Sequence, residues 1–174
     1  MSKSIALLSL IALLTAHAVA SETYQEPADF IDDVFRRSSP QTGSVWITKE
    51  LIGPIEEILG HTLGVRRVRY WGQGERTAWI LEEIGKEKLI TTGVIIDNGR
   101  IERIKVLVFR ESRGWEVRHD FFTDQFQDAS LKPDLGLDRT IDGISGATLS
   151  VRALKKQARV ALFLSQQVAG NASP

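Results

Sequence analysis

The chain has no cysteine in 174 residues. That absence excludes disulfides, thiolate catalysis, iron–sulfur clusters and zinc–cysteine sites. It also excludes haem attached through a C-x-x-C-H motif. Histidine is scarce: there are three, and only His61 and His119 lie beyond residue 20. Two isolated histidines do not make a metal site, so any electron chemistry here needs an organic cofactor. Charge of either sign is not in excess, with 22 Lys and Arg against 22 Asp and Glu. Nothing predicts a global attraction to nucleic acid or to an anionic membrane. Long apolar runs are missing too. Ile5 to Leu14 is a run of ten, short for a bilayer span.

That short run reads as part of a secretion signal. Lys3 and the amino terminus give a positive start, and Ala18-Val19-Ala20 is a small-x-small cleavage site before Ser21. With no cysteine after the run, a lipid-anchored product is excluded. Residues 1–20 are therefore expected to be removed, which leaves 154 of the 174 residues. The mature chain is expected to be periplasmic or secreted, with no direct membrane anchor and no nucleic-acid partner. It is long enough to bury a core of its own.

Hydropathy patterning divides that chain into residues 21–84, which hold helices and the first strands, a core at 85–170 and a frayed tail at 171–174. Tyr24 to Arg37 has helical periodicity through Phe30, Ile31, Val34 and Phe35. Ser38 to Gly43 reads as a loop, and Val45 to Ile47 as a short apolar piece of undefined type. Pro54 is placed as the first residue of a short helix that Gly60 ends. Val65 to Trp71, Thr77 to Ile84, Leu89 to Asp97 and Ile101 to Phe109 read as strands. Turns are expected at Gly72-Gln73-Gly74, Gly85 to Lys88 and Asp97-Asn98-Gly99-Arg100. Asn-Gly between apolar runs is a strong hairpin signal, because a type I′ turn needs positive φ at both central residues. His119 to Phe126 reads as a short helix, and Leu149 to about Gln167 as a long amphipathic one. The fold class expected is α+β: an antiparallel meander of about four strands flanked by helices, with a C-terminal helix after a loop of small residues.

That loop, Asp142-Gly143-Ile144-Ser145-Gly146-Ala147-Thr148-Leu149-Ser150, is the least ordinary stretch in the chain. It leads into the last helix, whose first N–H groups have no intrahelical partner and carry the positive end of the helix dipole. Such a terminus binds phosphate readily. Gly146 and Ala147 let an anion approach the backbone, Ser145, Thr148 and Ser150 add hydroxyls, and Arg152 adds charge. Composition alone leaves two readings, a phosphate site or a plain helix cap behind a tight turn.

The same nine residues closely resemble the attachment motif of the FMN-binding domain family, in which an aspartate precedes S/T-G-A-T. Asp142, Ser145, Gly146, Ala147 and Thr148 all match. The resemblance continues in Glu111-Ser112-Arg113-Gly114, similar to the family's E-T/S-x-G segment, and in Phe122-Thr123-Asp124-Gln125-Phe126, similar to its F-x-x-Q-F. The hairpin from Gly93 to Val108 also looks like the family's strand pair, with Asn98 inserted. Together these cover roughly Leu89 to Ala161.

The resemblance implies a covalent FMN, its phosphate esterified to Thr148. It implies cofactor-binding roles for Asp142, Ser145, Gly146, Ala147, Ser150, Glu111, Ser112 and Gly114, and no catalytic or metal-ligating residues. It further implies maturation by a secreted FAD:protein FMN transferase that uses a divalent metal. Asp142 then either is read by that enzyme or caps the turn. Trp115, Phe121, Phe122 and Phe126 are candidates for the flavin ring, and each is equally at home in a core. Arg66, Arg67 and Arg69 form a solvated strand face or a partner surface. No substrate site is evident, so the chain reads as an electron carrier or subunit rather than a self-sufficient oxidoreductase. Its partner would be a membrane reductase or a periplasmic redox protein. The alternative is a non-redox module that holds FMN or another phosphorylated ligand noncovalently.

Overall fold

The computed structural model describes residues 21–36 and 38–171. The expected signal segment, its cleavage site and residues 172–174 lie outside them. The architecture is α+β, but the antiparallel sheet has six strands rather than four: β1 (Glu22–Thr23), β2 (Gln41–Trp46), β3 (Arg67–Gln73), β4 (Arg76–Ile84), β5 (Leu89–Asp97) and β6 (Arg100–Phe109). Their order is β1-β6-β5-β4-β3-β2, so β2 to β6 form a meander and β1 closes the far edge on β6. The two additional strands fall where local patterning is weakest. β1 is two residues long, and β2 runs through Gln41-Thr42-Gly43, which has loop composition. Both are strands because a neighbour offers a ladder: β2 pairs with β3 from Gln41↔Gly72 to Trp46↔Arg67.

Among the described residues, four α-helices accompany the sheet: α1 (Pro27–Val34), α2 (Lys49–Leu59), α3 (Asp120–Thr123) and α4 (Thr148–Asn171). α1 is shorter than its periodicity predicts. α2 starts five residues before Pro54, which sits inside the helix. A proline there removes only one early backbone bond, and Gly60 ends the helix at φ 72°. α1 packs on one face of the sheet with Ala78, Ile95 and Leu107. α2, α4 and the 115–129 segment cover the other face around Trp79, Val94 and Ile104. β5 is therefore buried on both faces, and its residues 90–96 are buried without alternation.

The β5–β6 hairpin turns on Asn98 (φ 49°) and Gly99 (φ 73°), the two left-handed residues that the Asn-Gly signal requires. The β3–β4 turn lies one residue later than Gly72-Gln73-Gly74 implies, on Gly74 and Glu75, because Gly72 and Gln73 pair with Thr77 and Arg76. β6 carries an extra residue opposite Thr91/Thr92. This bulge lets Leu107 and Val108 join the α1 side while Val106 and Phe109 face α4. α4 lies across β4 and β5. Its Gln157 Nε2 donates to Ile90 O at 2.7 Å, its Lys156 reaches Glu83 at 3.0 Å, and its Ser165 hydroxyl meets Thr77 Oγ1 at 3.2 Å. This direction puts the first turn of α4 at the sheet end formed by the 85–88 turn and the residues after β6.

Candidate functional site

The small-residue loop makes a defined turn before α4. Ala147 N–H donates to Ile144 O at 3.0 Å, and Gly146 between them has φ 84°. A type II turn needs positive φ at that position, which glycine takes without strain. Val151 N–H then makes the first helical bond, to Ala147 O at 2.9 Å. The N–H groups of Thr148, Leu149 and Ser150 precede that bond and point out of the helix end. Thr148 is exposed at the first helical position. Beside it Ala147 and Ser150 are buried, at 2% and 4% exposure. The Thr148 hydroxyl is thus presented to solvent while Ala147 and Ser150 are seated in the protein.

Gly114 forms the seat. It is buried and left-handed, with φ 86°. A Cβ there would lie 2.5 Å from Ser150 Oγ and 3.5 Å from the Ala147 Cα. The glycine of the 111–114 segment therefore lets that segment pass directly against the start of α4. Two motifs more than thirty residues apart in sequence meet at this contact.

The loop is held from two further sides. Asp142 N–H donates to Gln125 Oε1 at 2.6 Å, and Lys155 Nζ donates to Ile141 O at 3.1 Å. Asp142, Gly143, Ser145 and Gly146 are all exposed. Gln125 and Lys155 were not singled out from the sequence as site residues. Gln125 stands inside the F-x-x-Q-F segment, and that was the signal available for it.

The expected site residues do not form one cluster. Glu111 turns toward the 85–88 turn, where its Oε1 accepts the backbone N–H groups of Lys86, Glu87 (2.6 Å) and Lys88 (2.8 Å). Burial works to raise its pKa, but the three N–H donors hold it below the ordinary carboxylate value. This side chain also fills the space a Cβ would need at Gly85, with Oε1 at 2.9 Å. Ser112 is exposed on the connecting loop.

The aromatic candidates divide cleanly. Phe122 and Phe126 are fully buried and meet edge to face at 5.5 Å, so they belong to the core. Trp115 and Phe121 are 43% and 63% exposed. His119 lies between them, edge-on to Trp115 at 5.6 Å and stacked with Phe121 at 6.1 Å. Trp115 follows Gly114 directly, so this exposed aromatic row begins beside the α4 terminus. Arg118 braces it from behind, its guanidinium 5.1 Å from the Trp115 ring and 4.5 Å from that of Tyr24. Burial, then the hydrogen bond to Glu22, pushes the Tyr24 phenol up to about 12, so it remains a donor.

The basic strand lies elsewhere. Arg66, Arg67 and Arg69 are exposed, and Arg67 sits 5.6 Å from the exposed ring of Trp46. The cations of α4 are less free than their periodicity implies. Besides Lys155, Lys156 pairs with Glu83 and Arg159 Nε donates to Leu135 O at 2.5 Å.

No curated protein and no solved structure matches the chain. The family model for the FMN-binding domain matches residues 85–162. The matched stretch runs from the turn that Glu111 organises, through the β5–β6 hairpin and the Gly114 seat, to the middle of α4. Residues 85–162 are thus an FMN-binding domain, and this domain supports reading the protein as an FMN-binding flavoprotein.

Proposed function

We propose that FMN is attached covalently to this protein, through a phosphoester on the Thr148 hydroxyl, and that the loaded protein carries electrons outside the cytoplasm. The observation that supports this reading best is the exposed Thr148 at the head of α4, inside a complete attachment motif and above the buried Gly114–Ser150 contact. The fit to a phosphorylated cofactor follows from the same geometry. The amides of Thr148, Leu149 and Ser150 and the helix dipole favour a phosphate there. The left-handed Gly146 removes a side chain from its approach.

Bound FMN supplies reversible two-electron chemistry that can also proceed in single-electron steps. The chain's own residues would set its surroundings. Trp115 and Phe121 offer apolar faces beside the attachment end, with His119 between them as a polar edge. Ser112 is placed on the loop leading to Gly114 and can hydrogen-bond the sugar-like chain or ring. Asp142 is exposed on the loop before α4, accessible to a maturing transferase. A ring held on an exposed aromatic row stays open to a docking partner, as a carrier between a membrane reductase and a periplasmic acceptor requires. Attachment keeps the cofactor local where free FMN is dilute, since rebinding is intramolecular.

The test is the intact mass of the chain produced with an FAD:protein FMN transferase and exported. The expected result is a gain of one FMN less one water, absent in Thr148→Ala, in the periplasmic fraction. Yellow protein of unmodified mass would point to noncovalent binding, and colourless protein under those conditions would refute the reading.

A further inference from the structure

β2 ends the sheet order β1-β6-β5-β4-β3-β2, and no strand lies on its outer side among the described residues. Which backbone groups face that side follows from the ladder. Ile47 N–H donates to Arg66 O at 3.0 Å, in register with Val45↔Val68 and Gly43↔Tyr70. Bonded pairs alternate along an antiparallel ladder, so these odd-numbered residues turn their N–H and C=O groups toward β3. Thr42, Ser44 and Trp46 turn theirs outward, and all three residues are exposed. A bare edge of this kind is a template for another strand, and proteins commonly blunt it with charge, proline or a bulge. The opposite edge is blunted in that way: β1 covers Val108 and Phe109, and the part of β6 beyond it carries Glu102, Arg103 and Lys105. Gln41 to Trp46 carries no charge, no proline and no register shift against β3.

The two faces beside this edge differ in chemistry. Val45, Ile47 and Tyr70 pack toward α2 and α4, so the side chains of Thr42, Ser44 and Trp46 stand on the α1 side. α1 itself packs on Ala78, Ile95 and Leu107, and Trp46 remains 64% exposed. Arg67 and Arg69 are exposed on that same face, with the Arg67 guanidinium 5.6 Å from the Trp46 ring. Neither arginine pairs with a carboxylate among the described residues. Glu82, which β4 presents on this face, is already held by Arg110 at 3.5 Å and by the Thr91 hydroxyl at 2.8 Å. Ser44, opposite Arg69, is small, so the long arginine has a path across β2 to a strand laid beside it. On the α2–α4 side the edge opens into a groove of about 640 Å³ lined by Val45, Leu51, Tyr70 and Val168, with Glu50 also in its wall.

We propose that β2 is the docking edge for an acidic extended segment of another protein. The segment adds to the sheet as a further strand, its backbone bonding to Thr42, Ser44 and Trp46. Successive side chains of a strand point to opposite faces. Alternate residues of the segment are therefore carboxylates over Arg67 and Arg69. The residues between them are apolar and enter the groove, where Glu50 disfavours a further acid. In strand addition the main-chain bonds supply affinity and the pockets for alternate side chains supply specificity. A second copy fits less well, because antiparallel pairing of β2 with itself gathers Arg67 and Arg69 of both copies on one face. The groove is remote from the attachment loop: its Gln167 lies about 28 Å beyond Thr148 along α4, at about 1.5 Å per residue.

The probe is a fluorescein-labelled peptide of alternating Glu and Val, titrated into the mature chain by fluorescence anisotropy, with a peptide of alternating Lys and Val as control. The expected result is saturable binding at least ten-fold tighter for the Glu peptide, weakened by added salt. Amide exchange at Thr42, Ser44 and Trp46 should slow in the complex. Ser44→Pro removes an outward N–H and spares the β3 ladder, so it should abolish binding in a protein that still melts cooperatively. Arg69→Glu keeps the backbone edge and should weaken the Glu peptide ten-fold or more. Absence of saturable binding at millimolar Glu peptide would overturn the inference, as would equal affinity for the two peptides or binding that both variants leave unchanged. A dimer seen by sedimentation that Ser44→Pro dissolves would assign the edge to a second copy and overturn a foreign partner. None of these outcomes bears on attachment at Thr148.

Discussion

Replacing Gly114 with alanine tests the contact that joins the two motifs. Two costs are visible in the structure. The residue has φ 86°, and an L side chain in the left-handed region costs about 1–2 kcal/mol. The new Cβ would also stand 2.5 Å from Ser150 Oγ and 3.3 Å from its Cβ. Ser150 is 4% exposed and has little room to turn away, so a further overpacking cost of about 1–2 kcal/mol is expected. The sum is about 2–4 kcal/mol, measured as a shift in urea midpoint at unchanged m-value. The double variant Gly114→Ala/Ser150→Ala removes the oxygen in the clash but leaves the backbone strain. The cycle should therefore return a coupling of about 1–2 kcal/mol. Flavin loading of Gly114→Ala should fall in parallel, because the displaced segment pushes on the first turn of α4. Stability of Gly114→Ala within about 0.5 kcal/mol of the parent, or a coupling near zero, would show that the two segments do not meet as described.

The remaining expectations concern the parts that hold the site in place. Gln125→Ala should cost about 1 kcal/mol and speed amide exchange at Asp142, whose N–H loses its acceptor. Glu111→Gln replaces a charged acceptor of three N–H groups and should cost about 2 kcal/mol by urea unfolding at neutral pH. Since the folded pKa of Glu111 is lowered, its contribution is present above the unfolded value and is lost as pH falls through the folded one. The penalty of Glu111→Gln should accordingly shrink in acid. His61 has the opposite sign. Its Nδ1 lies 3.0 Å from Thr62 O and its Nε2 3.0 Å from both Glu83 oxygens, so both ring nitrogens face acceptors and the protonated ring fits best. The Thr62 carbonyl first, then Glu83, raises its pKa. Its stabilisation is complete below an unfolded value of about 6.5 and is lost as pH rises through the higher folded value. His61→Gln should flatten the stability profile there, and an unchanged profile would exclude this role.

Much of this protein was readable locally because the signals themselves are local. Asn98-Gly99 specifies its turn through the φ values those two residues tolerate. The amphipathic pattern of 149–167 needs no partner to be recognised, and α4 extends it to Asn171. The attachment motif is contiguous, so Thr148 could be named without coordinates, and the family match over residues 85–162 agrees with the resemblance it carried. Tertiary structure decided what depends on distant neighbours. Gln41 to Trp46 has the composition of a loop at its start, yet it is a strand because β3 offers it a ladder. Phe121 and Phe122 are adjacent and chemically identical. One is exposed beside Trp115 and the other is in the core, a distinction set by how the 115–126 segment packs on the sheet. Glu111 carries the motif's first letter but spends its charge on the 85–88 turn. The end of the β3–β4 ladder at Tyr70↔Trp79 has no sequence signature, because both strands run on beyond it against their other neighbours. What the sequence determined by itself was therefore the chemistry of one loop and the local turns, which depend on few bonds. The seat beneath that loop arises from long-range contacts.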